Sequence, residues 1–107
     1  MTGFAIQIVD LAADELRNTR PYDRQRILDE VHSQLASQPT APTRNRKLLD
    51  AAVPDFEHVP PVWEMRVGDY RVFYDVDEAA GVVTIRAARR KRQGQTTEDI
   101  IHERDQR

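Results

Sequence analysis

Arg66, Arg71, Arg86 and Arg90 fall within residues 62–92, VWEMRVGDYRVFYDVDEAAGVVTIRAARRKR, which end in the densest run of positive charge in the chain. Grouped arginines suit phosphate. The planar guanidinium donates two parallel hydrogen bonds to an anion and keeps its charge at neutral pH. Whether these side chains act together depends on the elements that carry them.

Gly68-Asp69, set between two alternating runs, is a two-residue hairpin signal, because glycine tolerates the positive φ such turns need. With that loop, Val67 pairs with Tyr70, Arg66 with Arg71, Met65 with Val72, Glu64 with Phe73 and Trp63 with Tyr74. Period-two alternation puts Trp63, Met65, Val67, Tyr70, Val72, Tyr74 and Val76 on a core face. Glu64, Arg66, Arg71, Phe73 and Asp75 take the opposite face. Setting Arg66 across from Arg71 costs on the order of 0.2 to 1 kcal/mol, and the diagonal Glu64 is the counter-charge at hand.

The next turn, Glu78 to Gly81, sets Asp77 opposite Val82 and leaves Val83, Ile85 and Ala87 on the core face. Arg86 then falls beside Phe73 and Ala88 beside Arg71, with Arg90 extending the same face. The expectation is that Arg66, Arg71, Arg86 and Arg90 converge around Ala88. Phe73 would add an exposed ring for base stacking, a contact worth about 1 to 3 kcal/mol in single-strand binders. The pattern alone fits a solvated sheet edge as well as a nucleic-acid or phosphate site.

Ahead of this unit, Phe4 to Val9 reads as a largely buried strand. Asp10 is placed to cap a helix running through about Arg17. Pro21 starts a second helix, expected to run to Ser37 ahead of Pro39, with Ile27, Leu28, Val31 and Leu35 as its apolar stripe. Residues 39–61 read as a long proline-punctuated connection, of the kind that carries function in compact domains. In it Arg44, Arg46 and Lys47 precede Leu48 and Leu49, which are expected to pin the segment to the core. His32 lacks a second ligand at metal spacing. His58 reads as a loop residue, and His102, in the charged tail HERDQR, as disordered or on the outside of a short helix.

With 107 residues and 39% hydrophobic content, residues 1–107 are expected to form one domain. No run has the roughly 18 apolar residues a membrane span needs, and the N-terminus lacks a signal peptide's basic lead. The absence of cysteine excludes disulfides and thiolate metal sites, so a cytoplasmic protein is expected. A net charge of −2 argues against a general nucleic-acid coat but permits a confined anion site, since residues 86–92 hold five cations.

The order strand, two helices, three-stranded meander, with WEMRVGDYRVFYDVD, Arg46-Lys47-Leu48 and IRAARRKR, resembles the RelE/ParE superfamily of bacterial type II toxins over nearly the whole chain. The shared pattern is W-x-x-R-x-G-D-Y-R-V-x-Y-x-[VI]. The resemblance implies an α+β fold: an N-terminal strand, two helices packed on an antiparallel three-stranded meander, and a short C-terminal helix or tail. Members that look like RelE cleave messenger RNA, usually in the ribosomal A site, by attack of a ribose 2′-hydroxyl on the adjacent phosphate.

Carried onto this chain, the resemblance implies that Arg71 and Arg90, or Arg89, stabilise the phosphorane, and that Arg46, Lys47 and Arg66 contact RNA. Phe73, Arg86 and Arg89 join the expected RNA face, and Glu64 and His58 are the candidates for the base. The chain departs from RelE in having Val62 and Glu64 where RelE has lysines, and Thr96 or Thr97 where it has a tyrosine. No metal or other cofactor is expected. The implied partners are a cognate antitoxin, forming a hetero-oligomer, and mRNA on the ribosome. The alternatives are a gyrase poison similar to ParE and a weakly toxic, antitoxin-binding member without catalysis.

Overall fold

The computed structural model describes residues 3–49 and 53–102. Residues 50–52 of the long connection and the tail beyond His102 lie outside the described residues. The elements run β1 (Ala5–Ile8), α1 (Asp10–Arg17), α2 (Pro21–Leu35), β2 (Arg46–Leu48), β3 (Trp63–Val67), β4 (Tyr70–Asp77), β5 (Val82–Arg90) and α3 (Thr97–Ile101).

Pro21 opens α2 with a φ already suited to a helix, and Ile27, Val31 and Leu35 bury one stripe. The helix stops at Leu35, short of the expected Ser37. Asp10 sits inside the first turn of α1, where it complements the helix dipole; the N-cap is Val9, which makes no side-chain bond.

These helices cover one face of a five-stranded sheet ordered β1-β5-β4-β3-β2. Only β1 runs parallel, pairing Ala5 to Ile8 with Val82 to Ile85. The expected meander is therefore extended at both edges. Arg46–Leu48, read from sequence as part of a connection, pairs with Trp63–Met65 as β2, a strand of three residues and too short to show alternation. Leu48 is 46% exposed and anchors nothing; Leu49 packs on the core as expected. The run at β1, expected to be largely buried, is an edge strand with Ile8 exposed and only Ile6 packed inward, flanked by Phe4 and Val9.

The core between helices and sheet gathers Leu16, Ile27, Val31, Leu35, Met65, Val72, Val83 and Ile85, each worth roughly 1.5 to 3 kcal/mol of apolar burial. Trp63 stacks on Tyr74 at 6.3 Å between centroids. The Tyr74 hydroxyl donates to the Pro39 carbonyl at 2.7 Å, and burial pushes its pKa well above the usual tyrosine value.

The β3–β4 register is the one read from the Gly68-Asp69 turn, from Val67↔Tyr70 to Trp63↔Tyr74. The β4–β5 register also holds from Asp77↔Val82 to Tyr74↔Ile85, then shifts, so that Phe73 meets Ala87 and Arg71 meets Arg89. Arg86 is the extra residue of a bulge. Beyond it every side chain turns to the face opposite the expected one. Ala88 joins the helix-side core, Ala87 joins Phe73, and Arg90 pairs with Tyr70.

A second core lies on the outer face. Phe73, expected to be an exposed stacking ring, is fully buried among Phe56, Val62, Ala87, Ile100 and Ile101. Its cover is α3 and the segment around Phe56. Thr96 and Asp99 form a reciprocal capping box that starts α3 despite its five residues. Among the described residues no helix is long and apolar enough to cross a membrane.

Candidate functional site

The second core divides the outer face of the sheet. On its β2–β3 side is a groove of about 340 Å3 whose lining includes Lys47, Glu64, Arg66, Arg71, Lys91 and Thr97. The β3–β4 hairpin supplies Glu64, Arg66 and Arg71, and β2 brings Lys47 directly across from Glu64. The backbone amide of Lys91 donates to the Asp69 carbonyl at 2.7 Å, which ties the end of β5 to the hairpin turn.

Arg71 is held in place by its own strand turn. Nη1 donates to the carbonyls of Gly68 (3.0 Å) and Tyr70 (2.9 Å), and Nε lies 3.7 Å from Glu64 Oε2. Burial lowers the Arg71 pKa, and neighbouring Arg66 lowers it further, with Glu64 and Asp69 acting the other way. Arg71 nonetheless keeps its charge, and it sits where an anion entering the groove would meet it beside Arg66.

Glu64 is 4% exposed and is the carboxylate of the groove. Thr97 Oγ1 donates to Oε2 at 3.1 Å, and Lys47 Nζ lies 3.9 Å from Oε1. Among the described residues Oε1 is buried with no hydrogen-bond donor. The diagonal Glu64–Arg71 contact expected from the register is present, and it offsets the Arg66–Arg71 repulsion. A carboxylate beside a fixed guanidinium, rimmed by further cations, supplies the kinds of group that phosphodiester cleavage asks of a site.

The expected convergence of Arg66, Arg71, Arg86 and Arg90 does not form. Arg86 stays on the outer face but lies past the second core, gripping Asp75 through Nε at 2.8 Å and Nη2 at 3.3 Å. The bulge sends Arg90 to the helix side, near Arg20 and Tyr70. Arg89, 4% exposed, is sealed beneath α3. Its Nε binds Glu15 at 2.7 Å, Nη1 donates to the Ile100 carbonyl at 2.7 Å, and the guanidinium lies 5.2 Å from the Phe56 ring centroid. Arg46 borders the groove, but its guanidinium is buried and donates to the Gln34 carbonyl at 2.7 Å, because β2 pairs it with inward-facing Met65.

His58 is bonded through Nδ1 to the Phe56 carbonyl at 2.8 Å and does not line the groove. His102 caps the end of α3, exposed and bonded to the Val53 carbonyl. Among the described residues no group of three His, Cys, Asp or Glu is placed to hold a metal ion. Thr97 and Lys91 are groove residues that sequence reasoning left without a role. Thr97 carried a faint signal, as one of the two threonines aligned with the family tyrosine; the structure gives the groove position to Thr97 and the helix cap to Thr96.

Residues 6–94 match the family model described as the ParE toxin of the type II toxin-antitoxin system parDE. Among solved structures, the chain is similar to one from the RelBE2 toxin-antitoxin complex of Mycobacterium tuberculosis. That match has 19% identity and a TM-score of 0.69, covering 85% of this chain and 94% of that one. It is also similar to a chain of the archaeal RelE-RelB complex of Pyrococcus horikoshii OT3, with 20% identity and a TM-score of 0.61, covering 88% of this chain and 100% of that one. No curated protein sequence matches it significantly.

Proposed function

The chain belongs to the ParE toxin family of type II toxin-antitoxin systems, and from that premise we propose that it is a metal-independent endoribonuclease that cuts mRNA in the Glu64–Arg71 groove. The observation that carries this reading is the pairing of a buried carboxylate with a fixed guanidinium, 3.7 Å apart, inside a rim of cations. Glu64 accepts the proton of a ribose 2′-hydroxyl as its oxygen forms a bond to phosphorus. Arg71 and Arg66 neutralise the charge that grows on the phosphorane. The bond from phosphorus to the 5′-oxygen then breaks, leaving a 2′,3′-cyclic phosphate, and the ammonium groups of Lys47 and Lys91 are the groove's proton donors for the leaving oxygen.

Its position in the groove beside Arg71 favours Glu64 over His58, which lies outside the groove, as the base. Induced expression without an antitoxin is expected to arrest growth and fragment translated mRNA. Glu64→Gln keeps the shape and removes the base, so cleavage should fall by roughly 10²-fold or more, while His58→Ala should leave it unchanged. Equal losses in the two variants would reject the assignment of Glu64.

A second reading is a gyrase poison, favoured by the family description itself and by the three acceptors already engaging Arg71. It predicts inhibition of supercoiling by the purified protein and intact mRNA. In either case the proposed partner is an antitoxin placing acidic side chains over Arg66 and Arg71, in the cytoplasm, in a toxin-antitoxin hetero-oligomer. Its affinity should weaken as salt screens those contacts; an affinity independent of salt would exclude an ionic interface there.

A further inference from the structure

The end of β5 carries cations on both sides of the sheet, and only one side belongs to the groove. Lys91 lines the groove, whereas Arg90 and Arg92 line an open depression of about 510 Å3 on the helix side, together with Asn18, Thr19 and Arg20. Alternation along an extended chain produces this split, because consecutive residues point to opposite faces.

The acids near this depression are already engaged. Glu15 is held by Arg89 and by the amide of Ala88, and Asp23 receives Arg20 and the Tyr70 hydroxyl. Among the described residues Arg90 and Arg92 have no ion-pair partner. The fifteen-residue helix α2 begins one residue beyond Arg20 without a side-chain cap, which leaves its positive end next to the same lining. None of the exposed large apolar residues, Ile8, Tyr22, Leu48, Val53 and Val59, borders the depression. Apart from Tyr70 and Ala88 the lining is polar or charged, so a docked protein segment would find little apolar anchorage there, whereas a flexible phosphodiester chain needs only the cations and polar donors.

We propose that this depression is a second phosphate subsite, filled by the backbone of the RNA strand that occupies the groove, which crosses the end of β5 over Lys91. The proposal rests on reading the groove as an RNA site. It gives the protein a footprint longer than the cleaved step, because Arg90 and Arg92 bind phosphates away from the scissile one.

The test is equilibrium binding of non-cleavable 2′-O-methyl RNA to the full chain across a salt series. Oligonucleotides of about three and about twelve nucleotides are compared, the longer within the site sizes of single-strand binders. In Arg90→Gln plus Arg92→Gln, the slope of log K against log salt for the longer RNA should become shallower by about 1.4, near 0.7 for each cation removed. The short RNA should bind as before. Arg90→Lys plus Arg92→Lys should restore the slope, which separates charge from folding.

An unchanged slope for the longer RNA overturns the subsite. Equal losses for both lengths also overturn it, by making Arg90 and Arg92 part of the groove. Weaker antitoxin binding with unaltered RNA binding assigns the depression to protein contact and overturns it too. Failure of the wild-type chain to bind either RNA rejects the groove reading along with the subsite.

Discussion

Arg71 and Arg89 are cross-strand partners on β4 and β5, on the same face of the sheet, and they have opposite fates. Arg89 is covered by Phe56 and α3 and is tied down by Glu15, the Ile100 carbonyl and an aromatic ring, with Nη2 buried and without a hydrogen-bond partner among the described residues. Arg71 stays at a groove with a repelling neighbour in Arg66, and its opposing acid is also within reach of Lys47. The same side chain is thus a structural tie where a core covers it, and a candidate anion binder where a groove leaves it within reach. Which arginine the second core covers decides which of the two an incoming anion can reach.

That contrast can be broken by substitution. The largest expected effect is on Arg71→Ala: RNA cleavage should fall by roughly 10²- to 10³-fold, about 2.7 to 4 kcal/mol on the barrier, while stability to urea should fall by less than in Arg89→Ala, because Lys47 and Thr97 still face Glu64. A stability loss as large as that of Arg89→Ala would erase the distinction. Arg89→Ala should cost about 2 to 4 kcal/mol in urea unfolding, less than a fully buried pair would, because the Glu15 side chain is 22% exposed and can rehydrate. A wild-type unfolding midpoint for Arg89→Ala would show that the buried tie contributes nothing. The smallest effect is expected for Thr97→Val, which removes the hydroxyl donor to Glu64. About 1 kcal/mol of stability and a few-fold loss of cleavage should follow, and a loss matching Glu64→Gln would make Thr97 a participant in the reaction.

Much of the groove was legible in the sequence. Gly68-Asp69 fixed one hairpin, alternation sorted its faces, and the Glu64–Arg71 diagonal followed from that register. The β5 side was not legible, for a specific reason. Ala87 and Ala88 are equal in size and polarity, so the pair says nothing about which of them faces the core, and the bulge at Arg86 leaves no hydrophobic trace. A one-residue shift there moved Arg90 away and brought Arg89 beneath α3. The burial of Phe73 was hidden because its cover comes from short, distant pieces, Phe56 and the Ile100-Ile101 pair, which carry no periodicity. β2 escaped because three residues and a neighbouring exposed leucine look like loop.

One contact of Glu15 bears on how the molecule behaves in a crowd of its own copies. β1 pairs with β5 only as far as Ile85, so among the described residues the rest of β5 has no strand partner on that side, the kind of border on which another chain can polymerise. The Glu15 carboxylate occupies the Ala88 amide at 2.9 Å and puts an acidic group where an incoming strand would supply a carbonyl. The residue that fixes Arg89 therefore also blunts the template for edge-to-edge aggregation.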